Sequence, residues 1–310
     1  MKKIVAIGGG SGLATLLRSI RDYPAEITAI VAMTDDGASS GRLRKDFDIL
    51  PPGDIRKCIA ALSDSEDVLL DLFQYRFKRG PGLKGHSLGN LLISAAKDMY
   101  GNFELAIEYL CELFSVKGRV LPSTLEDIKL VAEFEDGKKI KGESKLVKYG
   151  YKHLITQIFL DKKANSNIKA VKAIIDADYI FVGPGSLYTS IIPNFLLTEI
   201  LDSFNKSRAK KIFVCNISTE RGETEKFDVY SHIKVLENYG ISFDVIIANN
   251  RKFKEGSGDG YVMPVECNSE TLNGYLVIEK DLINIKNLLY HDTEKLGKEI
   301  WQLVLTLKKS

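Results

Sequence analysis

The chain has 310 residues, 45% of them hydrophobic and 27% charged, with a formal net charge of +2. That is enough apolar material for a sizeable core, and it excludes a disordered or fibrous chain. The near-balanced charge supplies no global field that would call for nucleic acid or a membrane surface.

The first element is an apolar run over residues 3–7, read as a strand. Gly8, Gly9, Gly10, Ser11 and Gly12 follow at once. Leu13, Leu16, Leu17 and Ile20 then recur at helical spacing, which predicts a helix over 13–22. A second strand over 27–33 completes a βαβ start. The loop 34–41 follows, and the stretch to Pro52 reads as irregular. Pro51-Pro52-Gly53 is a breaker, after which Asp54 suits the N-cap of a helix to Leu62. Further helices are expected over 67–77, 87–99 and 104–114. Apolar runs over 128–134 and 138–144 flank Asp136-Gly137, a hairpin signal, and 154–160 reads as another strand. Alternation then resumes, with helices at 169–176, 194–204 and 228–239 and strands at 179–182, 211–217 and 243–248. A last amphipathic helix is expected over 293–307, with Asp292 as its N-cap. The expected fold is α/β: a doubly wound, mostly parallel Rossmann-like sheet with a small antiparallel hairpin excursion at about 120–162. No linker rich in Pro, Ser or Gly divides residues 1–310, so a single domain is expected.

The glycine loop interrupts the first apolar run too early for a signal peptide, and no apolar stretch is long enough to span a bilayer. Cys58, Cys111, Cys215 and Cys267 are scattered without a Cys-x-x-Cys. A reduced, cytoplasmic setting with buried thiols is therefore expected, not a disulfide framework or a zinc site.

The candidate chemistry lies in loops that follow strands. Strand, glycine loop and helix at 3–22 aim backbone N–H groups and the positive end of a helix dipole at an anion. Gly8 and Gly10 match the start of a dinucleotide fingerprint, but its third glycine position holds Leu13, so the loop reads as phosphate contact in general. A tight turn without ligand is the alternative. The loop after the second strand holds Asp35, Asp36, Gly37, Ser39, Ser40, Arg42 and Arg44. Its hydroxyls can donate and its guanidiniums can pair with phosphate, unless they form a surface ion network. Asp35, Asp36 and Asp54 could hold Mg²⁺ if phosphate brings them together, although Asp54 alone reads as a cap. His86 and Asn90, at the start of a helix, could contact a phosphate or base, with capping by Ser87 as the alternative. Gly183, Gly185, Ser186, Tyr188 and Asn194 form a second glycine and hydroxyl cluster after a strand. Asn216 opens a segment to Thr224 that could close or rim the pocket. Basic residues are not interleaved with aromatics as nucleic-acid binding would need.

Taken in order, GGGSGL, TDDGASSGRLR, PPGDIR, GHSLGNL, GPGSLYTSIIPN and the late His291-Asp292 resemble the YvcK family of gluconeogenesis factors, in the CofD-like superfamily. The resemblance runs over nearly the whole chain. It implies a cytoplasmic Rossmann-like protein that binds a UDP-sugar, notably UDP-N-acetylglucosamine. It also implies a role in cell shape and wall synthesis during growth on gluconeogenic carbon, with protein partners in wall-precursor synthesis. The CofD enzymes use Mg²⁺ to transfer a phospholactyl group from a nucleotide-activated donor to the deazaflavin Fo, which is the alternative function. Their acidic loop matches Asp35-Asp36 and their glycine loop matches Gly8–Gly12. Ala38 and Glu220-Arg221 depart from the family pattern. A nicotinamide oxidoreductase with Asp35 on the ribose of NAD is the third reading. The base, the oligomeric state and any turnover stay open at this stage, as does a role for Tyr261 or Arg251 at the sugar.

Overall fold

A computed structural model describes residues 1–252, 262–272 and 274–307. The chain opens with strand β1 (Lys2–Gly8), helix α1 (Gly10–Ile20) and strand β2 (Ala25–Val31). Helices α2 (Ala38–Phe47), α3 (Gly53–Leu62), α4 (Asp67–Gln74), α5 (Leu88–Tyr100) and α6 (Phe103–Leu113) lead to β3 (Arg119–Pro122). An excursion follows: β4 (Leu130–Phe134), β5 (Lys139–Lys141), α7 (Glu143–Gly150) and β6 (Ile155–Leu160). Next come α8 (Ile168–Asp176), β7 (Tyr179–Val182), a π-helical turn (Leu187–Ile191), α9 (Ile192–Phe195), α10 (Thr198–Lys206) and β8 (Lys210–Val214). The chain ends with α11 (Val229–Asn238), β9 (Val245–Asn249), β10 (Leu276–Lys280), the hairpin β11 (Ile283–Asn284) and β12 (Asn287–His291), and α12 (Thr293–Thr306).

Seven strands form one sheet in the order β10-β9-β8-β7-β1-β2-β3. Every neighbouring pair in it is parallel. Parallel strands covered on both faces are apolar along their length, and side chains alternate between the faces. In β1, Ile4 and Ala6 join the layer of α1, α3, α5, α6 and α12. Val5 and Ile7 join the opposite layer of α8, α10 and α11. Strand order departs from β1 in both directions, through β2 and β3 on one side and β7 to β10 on the other. The β1–β7 boundary is thus the topological switch point, where the connecting loops diverge and leave a crevice at the carboxyl ends of the strands.

The excursion is a three-stranded antiparallel sheet in the order β5-β4-β6. Its Leu130, Phe134, Leu146 and Ile158 are buried in the same apolar cluster as the α8–α11 layer. Among the described residues no helix is long and apolar enough to cross a membrane.

Several elements depart from the sequence expectation. Helix α2 stands where irregular chain was expected; Leu43 is its one buried large apolar residue, so it carries little periodicity. Helix α7 likewise buries only Leu146. Strand β3 is four residues at a sheet edge, and β10 is an edge strand with no fully buried residue. The helix expected over 194–204 is divided between α9 and α10, with Pro193 in the first turn of α9 and the π turn just before it.

Candidate functional site

A cleft of about 490 Å³ opens at the switch point. It is lined by loop 9–12 after β1, by 184–186 and Ser190 after β7, and by Asn216–Arg221 after β8. Asp35, Asp54, Lys57, Glu143 and residues 289–291 complete the wall. The loops containing Gly10 and Gly185 therefore meet around one cleft although they are far apart in the chain.

The first loop turns into α1 with Gly9, which has no side chain of its own to cap the helix, at the N-cap. Gly10 has φ +64°, a left-handed conformation that favours glycine. Gly12 is required for a different reason than phosphate approach: a Cβ there would overlap the Pro184 carbonyl and lie 2.8 Å from the Gly185 Cα. Close approach of the two loops, not of a ligand, excludes a side chain. Gly8 meets only ordinary contacts and lies behind the loop; its carbonyl accepts from Ala32 N–H and the Asn194 side chain. Asn194 is fully buried there, also donating to the Ser190 and Ile191 carbonyls, and does not line the cleft.

Asp54 is not the N-cap of α3, a place taken by Pro52. Its carboxylate instead reaches across to α1, where Oδ2 accepts the Gly10 N–H at 2.6 Å and Oδ1 accepts Lys57 Nζ at 2.9 Å. A carboxylate is favoured at a helix N-terminus for the same electrostatic reason as an anionic ligand. The N–H groups of Ser11 and Gly12, in the first turn of α1, have no acceptor within the helix.

The second loop is held by side chains. Gly185 N–H donates to Asn216 Oδ1 at 2.8 Å, and Asn216 Nδ2 returns a bond to the Gly185 carbonyl at 3.1 Å. Asn216 thus clamps the loop backbone at the cleft wall. Tyr188 N–H donates to Glu223 Oε2 at 3.0 Å, while the Tyr188 side chain is buried in the core. Gly183, φ +80°, packs against the Val214 carbonyl and also stays out of the cleft.

The acidic loop divides its residues. Asp35 faces the cleft and its Oδ1 accepts Gly37 N–H at 2.7 Å. Asp36 turns away and accepts Ser144 N–H at 2.8 Å, serving as a cap for the start of α7, whose own N-cap is Gly142. Ser40 bonds the Asp35 carboxylate. Ser39, His86 and Asn90 form a buried network: Asn90 Nδ2 donates to Ser39 Oγ at 2.9 Å, which lies 3.0 Å from His86 Nδ1. Arg56 Nε donates to Asn90 Oδ1 and ties this network to α3. Arg42 bonds the Ala38 and Lys84 carbonyls. Arg44 bonds the Asp35 and Ile128 carbonyls and pairs with Asp127. These side chains shape the acidic loop from behind and do not line the cleft. Arg251 pairs with Asp281, and Tyr261 lies outside the described residues.

The cleft is rich in carboxylates. Burial, and then the Asp54 charge, raise the Asp35 carboxyl above its ordinary value. Burial, followed by Asp35, Asp54 and Glu223, raises Glu143 further. Burial opposes the Lys57 charge, but Asp54 and Asp35 together outweigh it and the ammonium is held above its ordinary value. The expected Mg²⁺ set of Asp35, Asp36 and Asp54 does not form. Asp36 faces α7, and both Asp54 oxygens are engaged. Among the described residues no group of three or more His, Cys, Asp or Glu side chains is arranged to hold a metal ion.

Sequence reasoning missed Lys57, Glu143, Leu289 and Tyr290, and read His291 only as part of a helix start. The i,i+3 spacing of Asp54 and Lys57 on one helix was the available signal for the lysine. Glu143 was hidden because α7 itself was not foreseen. His291 lay too far from other candidates in the chain to suggest a site.

The profile of the CofD family, described as 2-phospho-L-lactate transferase CofD, matches residues 4–283. The Gluconeogenesis factor of Bacillus subtilis is 41% identical over 97% of this chain and 98% of its own. A Nostoc relative is 51% identical over 76% of this chain; the match spans 51% of that relative, so the chain covers about half its length. A crystal structure from Bacillus halodurans, described as a member of the UPF0052 family, superposes with a TM-score of 0.89 at 37% identity, covering 97% of this chain and 98% of the other. The chain belongs to the CofD family, within the group whose named members are gluconeogenesis factors.

Proposed function

We propose that the cleft binds a nucleotide diphosphate sugar, UDP-N-acetylglucosamine by family resemblance, and that the chain acts as a regulatory protein. In this reading the diphosphate lies between the first turn of α1 and the 184–186 loop. The Ser11 and Gly12 N–H groups serve one end and Lys57 supplies a cation. The observation that carries the reading is the meeting of two glycine loops at the switch point of a parallel sheet, a favoured ligand position in this architecture. The biological role proposed is that of a cytoplasmic factor for cell shape and wall synthesis on gluconeogenic carbon, acting on proteins of wall-precursor synthesis. Calorimetry with UDP-N-acetylglucosamine, UMP and NAD tests it. Heat with the UDP-sugar and little with NAD is expected; no heat with any UDP-sugar sinks the reading.

A second reading, a Mg²⁺-dependent phospholactyl transferase, is favoured by one finding, the CofD profile match over residues 4–283. In it Mg²⁺ would neutralise the donor's diphosphate, and Asp35 and Glu143 are the carboxylates of the cleft that would face it. Incubation with Fo, Mg²⁺ and phospholactyl-GDP yields product if this reading holds and none under the regulatory one.

A further inference from the structure

The 220–224 loop lies behind the second glycine loop and is wedged in place. Gly222 has φ +83°, and a Cβ on it would overlap the Val147 carbonyl of α7 and crowd the Tyr151 ring at 2.8 Å. In return, a Cβ on Gly150 of α7 would overlap the Gly222 carbonyl. Thr224 Oγ1 accepts Glu220 N–H at 2.9 Å and closes the loop on itself. This frame points Glu223 at the loop after β7. Its Oε2 accepts Tyr188 N–H at 3.0 Å and its Oε1 lies 2.8 Å from Thr189 Oγ1. The titratable groups that bear on it are Glu220 from its own loop, Glu143 from α7 and Tyr188 from the loop it clamps. All three are acids and oppose a second negative charge, while the N–H groups of Tyr188 and Thr189 and the Thr189 hydroxyl are the donors that favour it, and Arg221, the cation on this loop, lies over the Tyr151 ring.

We propose that Glu223 is a positioning residue of the cleft and holds the second glycine loop as an uncharged acid. Its carbonyl oxygen accepts the Tyr188 N–H, and its protonated oxygen donates to Thr189 Oγ1. The inference rests on the proposed reading that the cleft takes a diphosphate. Burial, and then the Glu220 charge, push this carboxyl up to about 8 against the hydrogen bonds from Thr189 and Tyr188, which lower it. Ionisation sets a charge directly behind the loop that faces the ligand. A bound diphosphate raises the carboxyl further, so binding takes up a proton and affinity falls as pH rises past the ligand-free value.

The test is calorimetry with UDP-N-acetylglucosamine from about pH 6.5 to pH 9, a range in which its diphosphate diester keeps one charge state. Wild type should lose affinity toward a limit of about tenfold per pH unit at the alkaline end. Glu223→Ala should bind weakly throughout. Glu223→Gln presents an acceptor to Tyr188 and a donor to Thr189, so it should rescue the alanine loss and flatten the pH profile. A Glu223→Gln protein that keeps the alkaline fall, or that fails to rescue, overturns the inference. Infrared difference spectra of the ligand-free proteins give a reading independent of affinity. Wild type at neutral pH should carry more protonated-carboxyl intensity than Glu223→Gln, in which the buried Glu143 carboxyl is still raised; an identical band in both overturns the proposal even if the alanine variant does not fold. If wild type binds no UDP-sugar at any pH, the parent reading falls and the role given to Glu223 falls with it.

Discussion

The two glycine loops of the cleft look alike in sequence and are held in different ways. The loop at 9–12 is set by close approach: Gly12 fits only because nothing projects from it toward Pro184, and the α1 helix continues directly from it. The loop at 183–190 is set by hydrogen bonds from side chains on the loop after β8, with Asn216 on Gly185 and Glu223 on Tyr188 and Thr189. A steric fit fails abruptly when a methyl is added. A hydrogen-bonded fit fails by degrees, as one partner after another is removed. The contrast shows that glycine in such a loop can answer to the neighbouring protein backbone before it answers to any ligand.

Five substitutions break or sharpen this comparison, in falling order of effect. Gly12→Ala drives a Cβ into the second loop; it should lower stability by about 1–3 kcal/mol in thermal or denaturant unfolding and abolish UDP-N-acetylglucosamine binding. Asn216→Ala leaves both polar groups of Gly185 without their clamp. It should cost about 1–3 kcal/mol, read as at least about fivefold weaker binding with the first loop unaltered. Asp54→Asn keeps an acceptor for Gly10 N–H but removes a carboxylate beside the bound diphosphate and frees Lys57. Binding should tighten severalfold, roughly 1 kcal/mol, and the gain should persist in chelator. Weaker, Mg²⁺-dependent binding in that variant would mean Asp54 is a metal ligand after all. Asp36→Ala removes the cap of α7 and should cost about 1 kcal/mol of stability with little change in affinity. Arg42→Ala, at a side chain bonded to two loop carbonyls on the outer face, should stay within about 0.5 kcal/mol by both measures.

What the sequence made legible follows from how strongly each segment depends on its neighbours. Strands β1, β2, β7, β8 and β9 are apolar runs between turn residues, and those are local signals. The hairpin at Asp136-Gly137 is equally local. Strands β3 and β10 and helices α2 and α7 owe their form to the sheet and loops they join, and their own patterns are weak. The same division runs through the cleft. Loop 9–12, Asp35, Gly185, Ser186 and Asn216 were legible because glycines, small residues or acids after a strand carry meaning by themselves. Neither Asp36 nor Asp54 betrays its direction in sequence, because only the folded chain decides that one caps α7 and the other caps α1. Arg42 and Arg44 resemble phosphate ligands until their carbonyl partners are seen.

The most direct measurement of the central claim is a crystal structure of the protein with UDP-N-acetylglucosamine. The account predicts a single diphosphate within hydrogen-bond distance of the first-turn N–H groups of α1 on one side and of the 184–186 loop on the other, with Lys57 beside it. A diphosphate bound outside the switch-point cleft, or touching only one of the two loops, would contradict it.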